Sequence, residues 1–141
     1  MHWIRQASLA ACAIVLVMAP IAAGAGGPDW DAVVAVKEVD VLTTNEDGSS
    51  RETVIWFTLL DGQAYIRTSE STTWGDNVER NTDIALRIEE TEHPFHAAFI
   101  NDEAEREKIV ASFREKYGWF DGFLNFVRGS SPRIMRLDVR E

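Results

Sequence analysis

Arg51-Glu52-Thr53-Val54-Ile55-Trp56-Phe57-Thr58, then Asp61-Gly62, then Ala64-Tyr65-Ile66-Arg67-Thr68 is the stretch that decides the fold. The first run has the β-branched and aromatic content of a strand. Asp-Gly between apolar residues suits the two positive-φ positions of a type I′ turn, so the second run returns antiparallel. Beyond it lies the hydroxyl-rich link Ser69-Glu70-Ser71-Thr72-Thr73. Trp74-Gly75-Asp76-Asn77-Val78-Glu79-Arg80 then reads as a short helix, and Ile84-Ala85-Leu86-Arg87-Ile88 alternates as a third strand. The hairpin thus carries Arg67, Thr68 and a set of hydroxyls to a helix start. An arginine, hydroxyls and free helix N–H groups in one place are what a phosphate needs.

The motifs Thr53-Val54-Ile55-Trp56-Phe57, Asp61-Gly62, Tyr65-Ile66-Arg67-Thr68-Ser69, Trp74-Gly75-Asp76-Asn77 and Asn81-Thr82-Asp83-Ile84-Ala85-Leu86 resemble the split-barrel flavin-binding superfamily. Its members include pyridoxamine 5′-phosphate oxidase-like and deazaflavin (F420)-dependent nitroreductase-like proteins. The resemblance implies an α+β fold, a six-stranded antiparallel Greek-key split barrel with two or three helices. It further implies a homodimer and a cofactor phosphate held at the ends of these strands. The cofactor-binding set it suggests here is Arg51, Thr53, Trp56, Arg67, Thr68, Ser69, Thr73, Trp74 and Asn77. Many relatives carry a basic residue where this chain has Thr73, which weakens the expected phosphate grip.

The chain opens differently. Met1-His2-Trp3-Ile4-Arg5 is a short basic region, followed by an apolar run from Leu9 to Ala19 that Pro20 ends. Ala23-Gly24-Ala25 has the small-x-small form of a signal-peptidase site, so residues 1–25 read as a signal peptide and 26–141 as one split-barrel domain. Leu9-Ala10-Ala11-Cys12 also spells a lipoprotein box, but ahead of the apolar run instead of after it. An uncleaved anchor is the alternative, since residues 9–25 are near the lower limit of a spanning helix. Either way the rest is expected outside the cytoplasm, periplasmic or secreted, with no stable membrane insertion once the signal is cleaved.

Cleavage after Ala25 leaves 116 residues (141 − 25) and removes Arg5, so the charge becomes −10 (13 basic against 23 acidic). Such a domain is repelled by DNA and anionic lipid, and no basic patch opposes that, which argues against nucleic-acid binding. Cys12, the single cysteine, leaves with the signal. No disulfide, thiol nucleophile or thiolate metal site then remains, and stability must come from the apolar core.

Residues 31–36 suit either a short helix or a strand, a helix or irregular entry being preferred, and 39–44 a strand. Asn45-Glu46-Asp47-Gly48-Ser49-Ser50 is turn-rich, Glu89-Glu90-Thr91-Glu92 a polar turn, and 93–100 a further strand. Asp102 to Tyr117 has the clearest helical pattern, with Asp102 as N-cap and Gly118 beyond its end. Its inward stripe is Arg106, Val110, Phe113 and Tyr117. Trp119 to Val127 is an aromatic-dense piece that suits a short helix, a core contact or a lid, and 131–139 a last strand.

Each chemical signal has a plain alternative. Arg51 and Arg67 can be exposed strand charges, the hydroxyls helix caps, and Trp56 a core or interface ring instead of a flavin neighbour. Trp74 and Asn77 can pack and cap the helix. His93-x-x-His96 puts its rings on opposite faces of a strand, so no metal site is expected. Neither a Gly-x-Ser-x-Gly elbow nor a nucleotide-binding glycine loop occurs. Two functions follow. One is an oxidoreductase in which FMN, or F420, performs hydride transfer while the protein binds and orients it. The other is a cofactor-free barrel that binds a small ligand or a protein partner. Thr73 and the lack of a twin-arginine pair in the signal support the second; the Arg67-Thr68-Ser69 and 74–77 segments support the first.

Overall fold

The computed structural model describes residues 27–118 and 132–140. The expected signal segment up to residue 26 and the Trp119 to Val127 piece lie outside the described residues. In chain order the elements are α1 (Trp30–Val33), β1 (Val39–Thr44), β2 (Ser50–Ile55), β3 (Phe57–Leu60), β4 (Gln63–Thr68) and α2 (Thr73–Arg80). Then come β5 (Asp83–Ile88), β6 (Thr91–Phe99), α3 (Glu103–Tyr117) and β7 (Arg133–Val139).

One seven-stranded sheet has the order β2-β1-β5-β6-β7-β4-β3, with every pair antiparallel. Its two outermost strands, β2 and β3, are separated in sequence by Trp56 alone. The sheet must therefore curl until both edges meet at one residue, which makes it a barrel rather than a flat sheet. The strand count of six is corrected to seven for the same reason: residues 51–58 do not form one strand but break at Trp56 and change partners. Chemistry from α3 mends the break. Tyr117 Oη accepts from Phe57 N (3.2 Å) and lies 2.9 Å from Phe57 O, and Lys116 Nζ donates to the same carbonyl at 3.0 Å. Backbone groups that lose a ladder partner are thus satisfied by the last helical turn.

The hairpin between β3 and β4 is the expected one. Leu60 pairs with Gln63, and both residues between them have positive φ, Asp61 at 52° and Gly62 at 74°. A second two-residue turn joins β5 to β6 through Glu89 (φ 48°) and Glu90 (φ 73°), so β6 starts at Thr91, earlier than the sequence suggested.

Alternation divides β3, β4 and β7 between two cores. Ile55, Phe57, Ala64, Ile66, Leu86, Phe95, Met135 and Leu137 fill the barrel with Trp74 and Val78 of α2. Trp30 of α1 stands over one end, 5.8 Å from the Phe95 ring and 6.1 Å from Phe57. The outward residues Tyr65 and Ile134 pack instead with Ile109 and Phe113 of α3. Of the stripe expected on α3, Phe113 is fully buried, Ile109 joins it, and Arg106, Val110 and Tyr117 flank them half-buried. Asp102 caps α3 by accepting from Glu105 N at 2.9 Å. No helix among the described residues is long and apolar enough to cross a membrane.

Candidate functional site

Strand alternation separates Arg67 from Thr68. Side chains of successive strand residues point to opposite faces. Arg67 accordingly lies under α3, its guanidinium 4.2 Å from the centre of the Phe113 ring. Thr68 points the other way, buried beside the start of α2. The arginine expected in the cradle is therefore on the wrong side of the sheet to join it. Trp56 is also on the α3 side, stacked on Tyr117 with ring centres 4.2 Å apart and planes 4° from parallel.

Another arginine occupies the place expected for Arg67. The β4–β7 register sets Arg133 directly opposite Thr68, and its side chain, 14% exposed, runs along the α2 N-terminus. Arg133 Nε and Nη2 donate to Ser69 O at 3.2 and 3.0 Å, and Nη2 also reaches Thr72 O at 3.4 Å. Nη1 pairs with Asp76 at 2.9 Å and Glu79 at 3.3 Å. Two of the hydroxyls, those of Thr68 and Thr72, are similarly engaged. Thr72 is the N-cap, accepting from Gly75 N at 3.2 Å, and its Oγ1 bonds Thr68 Oγ1. Gly75 is required by this closeness: a Cβ there would stand 2.8 Å from both Arg133 Cζ and Thr68 Cγ2. Thr73 is exposed as the first residue of α2, and Trp74 is buried in the barrel.

A second polar cluster forms on the adjoining side of α2. Asn77, 1% exposed, donates from Nδ2 to Thr43 Oγ1 (3.1 Å) and Asn45 Oδ1 (2.9 Å). Arg51 Nε donates to the same Asn45 Oδ1 at 2.9 Å, and Arg80 donates to Asn77 Oδ1. Arg51 and Asn77 from the expected set thus meet, through Asn45. Thr53 faces the barrel interior opposite Val41. The nine residues form no single cradle; they divide among the two sides of α2, the barrel interior and the α3 face.

An open cleft of about 390 Å³ borders the first cluster. Phe99, Ile100, Pro132 and Ile134 supply its apolar lining, Arg106 and Arg133 its cations, and Glu70, Glu79 and Glu103 its carboxylates. Arg106 donates to Ile100 O at 3.0 Å and Pro132 O at 2.5 Å. Elsewhere, burial and then Lys37 push the Lys116 ammonium down to about 8, while burial pushes Tyr117 up to about 12. Burial also lowers His93. His96 contacts Asp83 at 2.5 Å on β5, and among the described residues no group of three or more His, Cys, Asp or Glu could hold a metal.

Arg133, Thr72, Asn45 and Arg80 are the residues sequence reasoning missed. Thr72 carried a local signal, a hydroxyl just before a helix. Arg133 carried none, because it lies 65 positions from Thr68 (133 − 68) and only the strand register brings them together.

The fold has many relatives among solved structures. The heme storage protein HutZ from Vibrio cholerae superposes with a TM-score of 0.61 at 13% identity, covering 74% of this chain and 82% of that one. The conserved hypothetical protein Rv2991 from Mycobacterium tuberculosis gives 0.61 at 15% identity, over 79% and 78%. A Listeria innocua protein, provisionally designated a pyridoxamine 5′-phosphate oxidase, gives 0.58 at 14%, over 80% and 93%. These neighbours are split-barrel proteins of the pyridoxamine 5′-phosphate oxidase type, so the resemblance read from the hairpin and α2 motifs holds for the fold. No curated protein matches the chain in sequence. Residues 29–135 match the family described as "Uncharacterized protein conserved in bacteria (DUF2255)", and the chain belongs to that family.

Proposed function

We propose that this protein is a cofactor-free split barrel that binds a small molecule in the cleft between the β4–α2 link, the start of α3 and β7. The observation that carries this reading is Arg133. FMN and F420 both bring a phosphate, and the α2 N-terminus is the place the sequence offers one. Each nitrogen of the Arg133 guanidinium already donates to an acceptor of the chain itself. Asp76 and Glu79 hold its outer edge and would repel a dianion. The residues present therefore do not fit a phosphate-anchored flavin at that end. A haem group fits the cleft no better, since its lining among the described residues has no His, Cys, Met or Tyr. An apolar body with a polar end matches the lining, whose apolar wall of Phe99, Ile100, Pro132 and Ile134 is flanked by carboxylates and by Arg106 and Arg133.

The FMN or F420 oxidoreductase, which the sequence put first, becomes the second reading, favoured by one observation. The hydroxyls of Ser69, Ser71 and Thr73 make no hydrogen bond among the described residues, and the first N–H groups of a helix have no partner within it. The test is an absorbance spectrum of the purified protein followed by titration with both cofactors. We expect a colourless protein that binds neither in the micromolar range. A flavin or deazaflavin band, or micromolar affinity, would restore the redox reading. Export through a signal cleaved after Ala25 and a homodimer belong to the same proposal. N-terminal sequencing of the exported protein and sedimentation of the mature chain test them.

A further inference from the structure

We propose that Arg51 and Arg80 form a second site, on the side of α2 away from Arg133, that binds the phosphate group of a small molecule. This goes beyond the cleft and does not depend on what occupies it. Residues three apart on a helix share a stripe. Asp76 and Glu79 turn one stripe of α2 to Arg133, while Asn77 and Arg80 turn the next to the β1–β2 turn.

Two amides hold the two guanidiniums in place. Asn77 is buried, with its Nδ2 committed to Thr43 and Asn45. Asn45 is itself held, donating to Ser49 Oγ at 3.1 Å. On this fixed pair, Arg51 docks through Nε and Arg80 through Nη2. Arg51 keeps both terminal nitrogens for an outside acceptor, and Arg80 keeps Nε and Nη1. Arg51 thus keeps a two-nitrogen edge for bidentate recognition of a phosphate, Arg80 adds single N–H donors, and the two cations match a dianion in charge.

Charge makes the arrangement informative. The chain has 23 acidic and 14 basic residues, and Arg87 alone pairs with Asp40, Glu52 and Glu92. Among the described residues, neither Arg51 nor Arg80 has a carboxylate in ion-pair reach. Asp47, in the same turn as Asn45, is taken by Ser49, at 2.9 Å from its N and 2.5 Å from its Oγ. A purely structural role explains one bond from each arginine. It does not explain two uncompensated cations side by side on an acidic protein.

The experiment is titration of the full mature chain with inorganic phosphate, followed by 1H–15N NMR of the Asn45 and Asn77 side-chain amides and the Arg51 Nε–H. Saturable shifts are expected, with chloride at equal ionic strength giving none. Arg51→Gln and Arg80→Gln should each weaken phosphate binding by about tenfold or more. Arg51→Lys and Arg80→Lys keep the charge and serve as folded controls; Arg51→Lys should weaken binding through loss of the bidentate edge, and Arg80→Lys should weaken it less. Thr68→Ala should change nothing. No saturable shift by about 50 mM phosphate, or shifts at the Thr73 and Trp74 amides instead, would overturn the site. FMN, titrated in parallel, separates this proposal from the previous one. If FMN binds with the same dependence on both arginines, the site stands and the cofactor-free reading falls. If neither binds, the site falls and that reading stands.

Discussion

Gly75→Ala tests whether the α2 N-terminus is as tightly closed as its contacts imply. In an open helix the change would stabilise by about 1 kcal/mol, since alanine loses less backbone entropy than glycine. Here the added methyl would lie 2.8 Å from Arg133 Cζ and from Thr68 Cγ2. An arginine end usually moves aside at little cost, but this one is pinned by the Ser69 carbonyl and by Asp76 and Glu79. Displacing it gives up charge-assisted bonds in a packed place, which overpacking data put at about 2–3 kcal/mol. The net expectation is a loss of about 1–2 kcal/mol, or about 4–8 °C in Tm for a domain of this size. Urea and thermal unfolding followed by tryptophan fluorescence measure it. In an Arg133→Ala background only the Thr68 methyl still obstructs, so the same substitution should cost at least about 1 kcal/mol less. A neutral or stabilising Gly75→Ala in the wild-type background, or additive effects in the pair, would refute the closed end.

Three further outcomes follow from single contacts. Glu89 and Glu90 both hold positive φ in a two-residue turn where Asn-Gly is preferred, so Glu89→Asn with Glu90→Gly should raise unfolding stability by about 1–2 kcal/mol in urea. Lys116 has its folded pKa lowered from 10.5 to about 8. Its charged form therefore weakens the fold at neutral pH, and stability should rise between pH 8 and 10 by about 1 kcal/mol after allowance for its solvent exposure. Tyr117, raised to about 12 from 10.0, acts oppositely above pH 10, because the unfolded phenol ionises first; Lys116→Met should flatten the lower limb alone. Asn77→Ala strips Thr43, Asn45 and Arg80 of a buried partner and should cost about 2–4 kcal/mol by urea unfolding.

Local chemistry makes much of the fold readable in the sequence. Asp61-Gly62 marks the hairpin because two adjacent positive-φ positions leave few other choices. Asp102 and Gly118 mark the ends of α3 because helix ends need an acceptor and a left-handed exit. The break at Trp56 was hidden, since residues 51–58 have uniform strand composition and what interrupts them is Tyr117, 61 positions away (117 − 56). The candidate site fared worse for a related reason. Grouping Arg67 with Thr68 treated sequence neighbours as spatial neighbours, which a strand forbids. The convergence of arginine, hydroxyls and helix start was real, but its arginine comes from β7 and could be found only from the register.

The two sides of α2 show how position decides what an arginine can do in an acidic protein. Arg133 lies against the eight-residue α2, Arg51 reaches it through Asn45, and Arg80 is its last residue. At Arg133 the helix presents Asp76 and Glu79, so the cation is neutralised within the chain and serves to lock the β4–α2 link. One stripe further round, the helix presents a buried amide and another arginine, so positive charge accumulates and is oriented without being cancelled. Coulomb attraction at about 4 Å is worth about 1–4 kcal/mol near a protein surface, and it falls as salt screens it. An outside anion gains that attraction only where no carboxylate of the chain has taken it first. Asp76→Asn with Glu79→Gln would reopen the Arg133 end, and phosphate should then bind there as well. If those substitutions leave the Thr73 and Trp74 amides insensitive to phosphate, occupancy by the protein's own carboxylates is not what closes that end.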